Sequence, residues 1–419
     1  MVMWMKRLGI ACGLFVWSGL VVANGGVRHI QDFRAPQSPC APGRGCLGSQ
    51  IVANKKDLYY ALGTGVVGLH LSSGKLFSIF YQQKGLNSVL TRFIDSNLLM
   101  IGSLLFFVKS APPAHGWIYA VDVKTGRLVW SKQYTGDQIW TDEHRLYLGR
   151  TYSDGLEALN PETGHLLWRA MGNTSDWVSR LVVSHGRVYT NTEIRVLDAL
   201  TGRTVLRLYK ATPYSGRTNP NGSAFMPLIS GKRLSANDSS VFMATKGILY
   251  AYHATTSQPR WQIDLSSLLA GAHIIELLAN SRFVYVLGKA RGSHGFRPGE
   301  LVALDASNGR LEWRDSIRTS RASQGPAARL FENRLFLLQS VSGQPGSELV
   351  ALNAATGKPI WRFRSALELL GPPTPAGRYI VVPNCLSDLV ALQAASGRLV
   401  WIYRPAHDLP YYKRFNLCP

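Results

Sequence analysis

The sequence predicts an all-β, eight-bladed propeller made of four-stranded antiparallel blades. Three observations predict it. A turn-and-tryptophan motif recurs eight times, its copies lie about 46 residues apart, and no long helical periodicity interrupts them. A period of that length is the size of one propeller blade. Hydrophobic residues make up 46% of the 419, enough to build a core and too many for wholesale disorder. Only one apolar run approaches membrane-spanning length, which excludes a polytopic membrane protein.

That run is N-terminal. Lys6 and Arg7 precede fifteen uncharged residues, 8–22, and Ala23 follows. A basic start, an apolar stretch and a small residue make residues 1–23 a secretory signal peptide, with Val21-x-Ala23 as the cleavage site. The alternatives are an uncleaved anchor, for which the run is short, and a lipoprotein modified at Cys12, which leaves only four residues after Arg7. Residues 24–50 form a Gly/Pro-rich lead-in, and the propeller occupies 51–419. Export to the periplasm or cell envelope follows from the signal.

Cysteine usage agrees with export. Cleavage leaves Cys40, Cys46, Cys385 and Cys418, an even number that favours disulfides in an oxidising compartment. None is arranged as Cys-x-x-Cys or at zinc spacing. Four cysteines allow three pairings. Pro42, Gly43 and Gly45 make a tight loop between Cys40 and Cys46, favouring a local bond there and a Cys385–Cys418 bond that pins the tail to the last blade. The alternative joins the N-terminal pair to the C-terminal pair and staples the chain ends together.

The eight copies carry the fold. The clearest is Ala120-Val-Asp122-Val-Lys-Thr125-Gly126-Arg-Leu-Val-Trp130. Four more end in Gly164 and Trp168, Gly309 and Trp313, Gly357 and Trp361, and Gly397 and Trp401. Three are worn. One has Ser257 for Gly but keeps Trp261; one ends at Leu206 and one at Ser78 where Trp is expected. The alternating run before each turn, such as Trp117–Asp122, reads as a strand. Asp or Asn followed by Thr-Gly makes a tight turn with Gly at positive φ. The next run, such as Arg-Leu-Val-Trp, returns as the neighbouring strand. The Trp is expected to lie over a Gly peptide and against a small Ala of an adjacent copy, burying a large area. Residues 266–280 are the one ambiguous helical candidate.

The Ala-x-Asp-x-x-Thr-Gly-x-x-x-Trp pattern resembles the tryptophan-docking motif of the PQQ-like β-propeller superfamily, over residues 51 to about 405. In size and make-up the chain is similar to the propeller subunits of the bacterial outer-membrane β-barrel assembly machinery. The superfamily also includes quinoprotein dehydrogenases, whose catalytic members show vicinal cysteines and acidic residues around calcium. Here no two cysteines are adjacent, and acidic residues fall mostly in turns, such as Asp122, Asp198 and Asp305. A calcium site needs several carboxylates together. His70 and His253 stand at the turn position of the repeat and read as drift. No catalytic, metal or cofactor-binding residue is therefore expected.

The formal charge is +21, mainly from arginine. Lys289, Arg291, Arg297, Arg314, Arg318, Arg321, Arg329 and Arg334 fall in one stretch, and Arg203, Arg207, Lys210 and Arg217 in another. Such charge suits an anionic polymer or membrane surface, or reflects composition alone. No nucleic-acid motif accompanies it. Insertions at 210–233, 288–300 and 340–348 are candidate binding loops. These features lead to a non-catalytic exported scaffold, a monomer within a larger complex. By resemblance it docks envelope proteins, including those of outer-membrane assembly, through loops or strand edges. The rivals are an anionic-polymer binding module and a quinoprotein-type dehydrogenase. A ring also needs its ends joined, and pairing between the chain ends is expected to do this.

Non-reducing peptide mapping tests the cysteine pairing. A peptide joining Cys385 to Cys418 is expected, closing a loop of about 34 residues worth roughly 3–4 kcal/mol in the chain-entropy model. A peptide joining Cys40 or Cys46 to either one rejects it.

Overall fold

The structure is a computed structural model that describes residues 51–405, apart from the segments 63–64, 81–92, 95–97, 112–114, 135–137, 150–154, 172–177, 179, 191–194, 208–232, 246, 271, 290–297, 319–327 and 342–345. Before residue 51 it describes only the paired two-residue strands Leu20–Val21 and Arg28–His29. The predicted signal peptide and lead-in otherwise lie outside the described residues, as do Cys40, Cys46 and Cys418.

Eight antiparallel sheets follow one another along the chain, each made of consecutive strands. Blade 1 is Ile51–Ala53, Asp57–Leu62, Gly65–His70 and Leu76–Phe80. Blade 2 ends in the long pair His115–Asp122 and Arg127–Tyr134, and gains Phe93–Ile94 as an extra inner piece beside Leu104–Ala111. Blade 3 spans 139–170, blade 4 spans 181–207, blade 5 spans 233–264, blade 6 spans 273–318, blade 7 spans 328–365 and blade 8 spans 374–403. The first strands of successive blades lie against one another and form the inner wall. The fourth strands form the outer rim. Hydrophobic clusters fill the spaces between blades, as where Tyr285 and Leu335 of blades 6 and 7 share one core. The ambiguous segment 266–280 resolves into a turn at 266–270 and the inner strand His273–Ala279, not a helix.

The motif turn forms as its residues dictate. The Asp122 carboxylate accepts from the amides of Lys124 (3.0 Å) and Thr125 (2.7 Å) and from the Thr125 hydroxyl (3.0 Å). Gly126 closes the turn at φ 67°, donating its N–H to the Asp122 carbonyl at 2.7 Å. The returning strand carries a β-bulge after Ala120, and all eight blades repeat that register shift. Because the bulge recurs at one place, it sets the same twist in every outer strand.

Each motif Trp reaches into the following blade. The Trp130 ring covers Gly164, Trp168 covers Gly202, Trp261 covers Gly309, Trp313 covers Gly357, and Trp361 covers Gly397. The indole N–H then donates to a turn carbonyl of that blade: Pro161, Ala199, Ala306, Ala354 and Ala394, at 2.8–3.2 Å. A Cβ on Gly397 would lie 2.6 Å from the Trp361 ring, so only glycine fits there. The indole thereby meets an Ala of the adjacent copy at four of these seams, while the first Ala of the motif has another place. It sits opposite the Trp in the same blade, as Ala303 faces Trp313. Its small side chain leaves room for the indole beside an aromatic of the second strand, such as Tyr285, tilted 48° to it with 6.0 Å between ring centres.

The chain ends whose pairing was expected to close the ring lie outside the described residues. Among the described residues, blades 1 and 8 exchange no strand. Trp401 of blade 8 instead covers Gly74 of blade 1 and donates to the Leu71 carbonyl at 2.9 Å. The closing seam is thus a sixth copy of the same contact. Its inner strands, Ile51–Ala53 and Thr374–Ala376, also meet.

Trp401→Ala removes the closing contact and should destabilise the ring by about 3–5 kcal/mol, as for other large aromatics lost from cores. Denaturant unfolding measures this. A loss below about 1 kcal/mol would place closure elsewhere, in the tail beyond residue 405.

Candidate functional site

The repeat residues Gly126, Trp130, Gly164, Trp168, Trp261, Gly309, Trp313, Gly357, Trp361, Gly397 and Trp401 all lie at blade seams. Trp168 and Trp401 are buried; Trp130, Trp261, Trp313 and Trp361 are half-buried. Their polar atoms are committed to neighbouring turns, which leaves them no chemistry to offer a ligand.

Two seams lack the Trp and keep other contacts. Between blades 4 and 5 the Tyr189 hydroxyl donates to the Ala254 carbonyl at 3.0 Å and lies 3.0 Å from the Ser257 hydroxyl. Ala254 holds the place that Ala306 and Ala354 hold elsewhere. Ser257 adopts the glycine conformation, φ 59°, and stays buried. With Leu206 in place of an indole, a Cβ there has room. Between blades 1 and 2, Phe77 lies over Gly68 of its own blade, edge-on to Tyr59 and stacked on His70 at 4.7 Å. The tyrosine bond is not specific to the lost Trp, because Tyr285 donates to the Ala354 carbonyl at 3.0 Å alongside Trp313; where Trp is missing, the tyrosine bond remains.

Cys385 is fully buried in the turn after Tyr379–Pro383 and is disulfide-bonded. The remaining four cysteines lie outside the described residues, so its partner is one of them. The Cys40–Cys46 and Cys385–Cys418 assignments fall there too.

Successive antiparallel strands fix where each connection emerges. Links between second and third strands, and links from one blade to the next, open on one face; the motif turns lie on the opposite face. The strand ends that flank the predicted insertions 210–233, 288–300 and 340–348 all stand on one face: Arg207 and Arg233 between blades 4 and 5, and Lys289 with Pro298 and Ser340 with Ser347 between second and third strands. The Cys385 turn opens there as well.

Two surfaces remain outside the seams. The first is the outer rim of blades 2 to 4, which exposes Leu128, Val129, Leu166, Leu167 and Val205, each between 44% and 51% accessible. Met171 and Leu200 extend it. At the matching places blade 6 has Leu311 and Glu312, and blade 5 has Pro259 and Arg260. Blades 7 and 8 expose Ile360 (46%) and Leu399 (43%) at these places as well, so the apolar rim is densest on blades 2 to 4 and is interrupted by polar or short residues at blades 5 and 6. Lys132 and Arg169 cross it to the buried Glu157, at 4.0 and 2.8 Å.

The second surface is the inner wall of blades 4 to 7. Arg180 lies 3.6 Å from the carboxylate of Glu276, which is 3% exposed. Arg233 and Arg329 share its electrostatic surroundings. Burial pushes the Glu276 carboxyl up, against the pull of Arg180, Arg329 and Arg233. Burial, with the charge of Arg180, pushes Arg233 down to about 10, while Glu276 opposes the shift. The basic stretch read from the sequence does not form one face. Arg314 is on the outer strand of blade 6, Arg329 on the inner wall, and Arg334 is paired with Glu332 at 2.8 Å. Arg291, Arg297, Arg321, Lys210 and Arg217 lie outside the described residues. No cluster of metal-ligating side chains occurs among the described residues, and none of their helices is long and apolar enough to cross a membrane.

Comparison with known proteins fits this geometry. The solved structure of BamB from Moraxella catarrhalis aligns with a TM-score of 0.50 at 16% identity, covering 75% of this chain and 91% of that one. AztD from Citrobacter koseri aligns with a TM-score of 0.54 at 12% identity, covering 84% and 94%. Quinohemoprotein alcohol dehydrogenase from Comamonas testosteroni gives a TM-score of 0.48 at 13% identity over 75% and 67%. No curated protein matches in sequence. The family model described as outer membrane protein assembly factor BamB matches residues 114–282 and 297–411. The eight-fold repeat, the blade seams and that match together make this chain a member of the PQQ-like propeller family described as outer membrane protein assembly factor BamB.

Proposed function

We propose that the protein is a non-catalytic scaffold of the cell envelope that holds extended segments of outer-membrane proteins during their assembly. The observation that carries this is the apolar rim of blades 2 to 4. Its fourth strands are sheet edges with unpaired backbone groups, flanked by exposed Leu128, Val129, Leu166 and Leu167. An extended peptide adds to such an edge through main-chain hydrogen bonds, and alternating apolar side chains supply the grip. The family's printed role, outer membrane protein assembly, supplies the occupant. An N-terminal export signal agrees with an envelope location.

The absence of a catalytic role rests on how the polar residues are used. Turn carboxylates are consumed by backbone amides. Glu348 shows the same for the sheet surface: burial pushes its carboxyl up, but bonds from Arg364, Arg362 and Gln339 outweigh that and hold it below its ordinary value.

Photo-crosslinkers placed at Val129 or Leu167 should capture a purified unfolded outer-membrane barrel protein, while one at Glu312 should not. Equal capture at all three positions would remove the rim from this role. Dye reduction by purified protein supplied with quinone, calcium and alcohols should stay at background; turnover would restore the dehydrogenase reading.

A further inference from the structure

One face of the propeller is described in every turn. The turns that join first to second strands and third to fourth strands lie there in all eight blades, and each of their residues is among those described. None exceeds six residues, so no loop rises above its neighbours. The strand ends that flank the three insertions stand on the opposite face.

Charge on this level face is sorted by blade. Counting the turns and the residues that close them, blades 7, 8, 1 and 2 carry nine Lys or Arg and three Asp or Glu, whereas blades 3 to 5 carry three and five. The four cationic blades are neighbours, because blade 8 closes on blade 1. Their acidic residues are engaged. Glu332 pairs with Arg334 at 2.8 Å, Asp57 with His70 at 3.1 Å, and Asp122 accepts the Ser103 hydroxyl at 2.8 Å and the amides of its own turn. Lys55, Lys56 and Lys75 of blade 1 and Lys124 and Arg127 of blade 2 are exposed and make no ion pair among the described residues. The same holds for Lys358 of blade 7 and Arg398 of blade 8. Five of these seven are lysines, in a chain whose charge is mainly arginine. Compositional bias would spread arginine over all eight blades; it would not gather lysine on four.

We propose that the motif-turn face of blades 7, 8, 1 and 2 rests on a membrane surface that carries anionic headgroups. Lys55 and Lys56 sit in a first hairpin, near the axis, while Lys75, Lys124, Lys358 and Arg398 sit in motif turns, near the rim. The cations therefore cover an area and do not trace a line, which suits a plane of charge better than one polymer strand or peptide. Lysine is a compact point charge on a flexible stem and suits a fluid array of headgroups; fixed bidentate recognition favours arginine. Apolar side chains complete the fit. Leu128, Val129, Ile360 and Leu399 lie one or two positions after the cations of blades 2, 7 and 8 and are 43–51% exposed. Apolar residues beside a basic patch enter the headgroup boundary while the cations attract anionic lipid. In this pose the insertion face points away from the membrane. The patch stands whether or not the rim holds peptides, and vesicles free of protein test it alone.

Co-sedimentation of the full chain with phosphatidylcholine vesicles, with and without phosphatidylglycerol, tests this. Binding is expected to the anionic vesicles alone, and is lost in about 1 M salt, where the screening length falls to about 3 Å. Lys55→Gln together with Lys56→Gln should weaken it at least about tenfold, at about fivefold for each cation removed. Lys289→Gln together with Arg314→Gln removes the same charge beside an insertion and on the outer strand of blade 6, and should change binding less than about twofold. Circular dichroism and thermal unfolding check that each variant is folded. Equal binding to both vesicles or to neither, binding that survives high salt, or equal weakening by the two double variants would overturn the patch. Polyglutamate forms a third arm: its capture without any binding of vesicles would overturn the membrane assignment and give the face to an acidic polymer.

Discussion

The ring depends on one contact, an indole laid on the glycine turn of the next blade. It fixes three residue choices at once. The glycine must lack a Cβ, because the ring occupies that space at Gly74, Gly164 and Gly397. The residue opposite the Trp must be small, hence Ala120, Ala303 and Ala391. The turn carbonyl beneath must be free to accept the indole N–H, which the Asx-type turn arranges by satisfying its amides from Asp122 or Asn160 instead. A buried indole that found no acceptor would cost about 1–3 kcal/mol. The same contact makes the last seam, where no sheet is shared among the described residues.

This explains which parts of the fold could be read from residues alone. The motif spans eleven residues, and its constraint acts between near neighbours in sequence, so Asp122, Gly126 and Trp130 announce a blade wherever they recur. Closure was legible only in part. The expectation of paired chain ends came from the need to remove free edges and falls on residues outside those described; within them the closing contact is Trp401 on Gly74. Tyr189 was not legible. Its acceptor lies 65 residues away, and a tyrosine on a β-strand carries no sign of the carbonyl it will meet. The inner-wall group was harder still. Glu276 sits in an apolar run whose periodicity also suits a helix, and its arginine neighbours come from three other blades. The available signal was a single acidic residue inside His273–Ala279, with arginine at the matching place of two earlier copies.

The repeat also sorts structure from function. Residues that recur in every blade are committed to seams, and their chemistry is exhausted there. What distinguishes one blade from another lies elsewhere, at the outer strand positions before the Trp and at the starts of the inner strands. Leu128 and Leu166 share a place with Pro259, Pro359 and Leu399, and the exposed apolar surface is densest on blades 2 to 4. That density is not required by the fold. Seam geometry tolerates Leu, Glu or Arg beside the Trp, so the local run of leucine and valine on blades 2 to 4 is not explained by blade packing.

Propeller symmetry turns such differences into sites. Equivalent residues of successive blades are about forty to fifty residues apart in the chain but converge at the axis, where blades are closest. Substitutions that look like independent drift in a linear comparison of repeats therefore meet in space. Arg180 and Glu276 are two choices at one repeat position, and the fold brings them within 3.6 Å of each other. At the rim the geometry acts in the opposite sense: equivalent residues diverge, so they form a broad strip and not a pocket. A long extended chain suits that strip, and a plane of charge suits the level face of the motif turns. One architecture thereby separates two kinds of recognition by direction, without asking any seam residue to serve both.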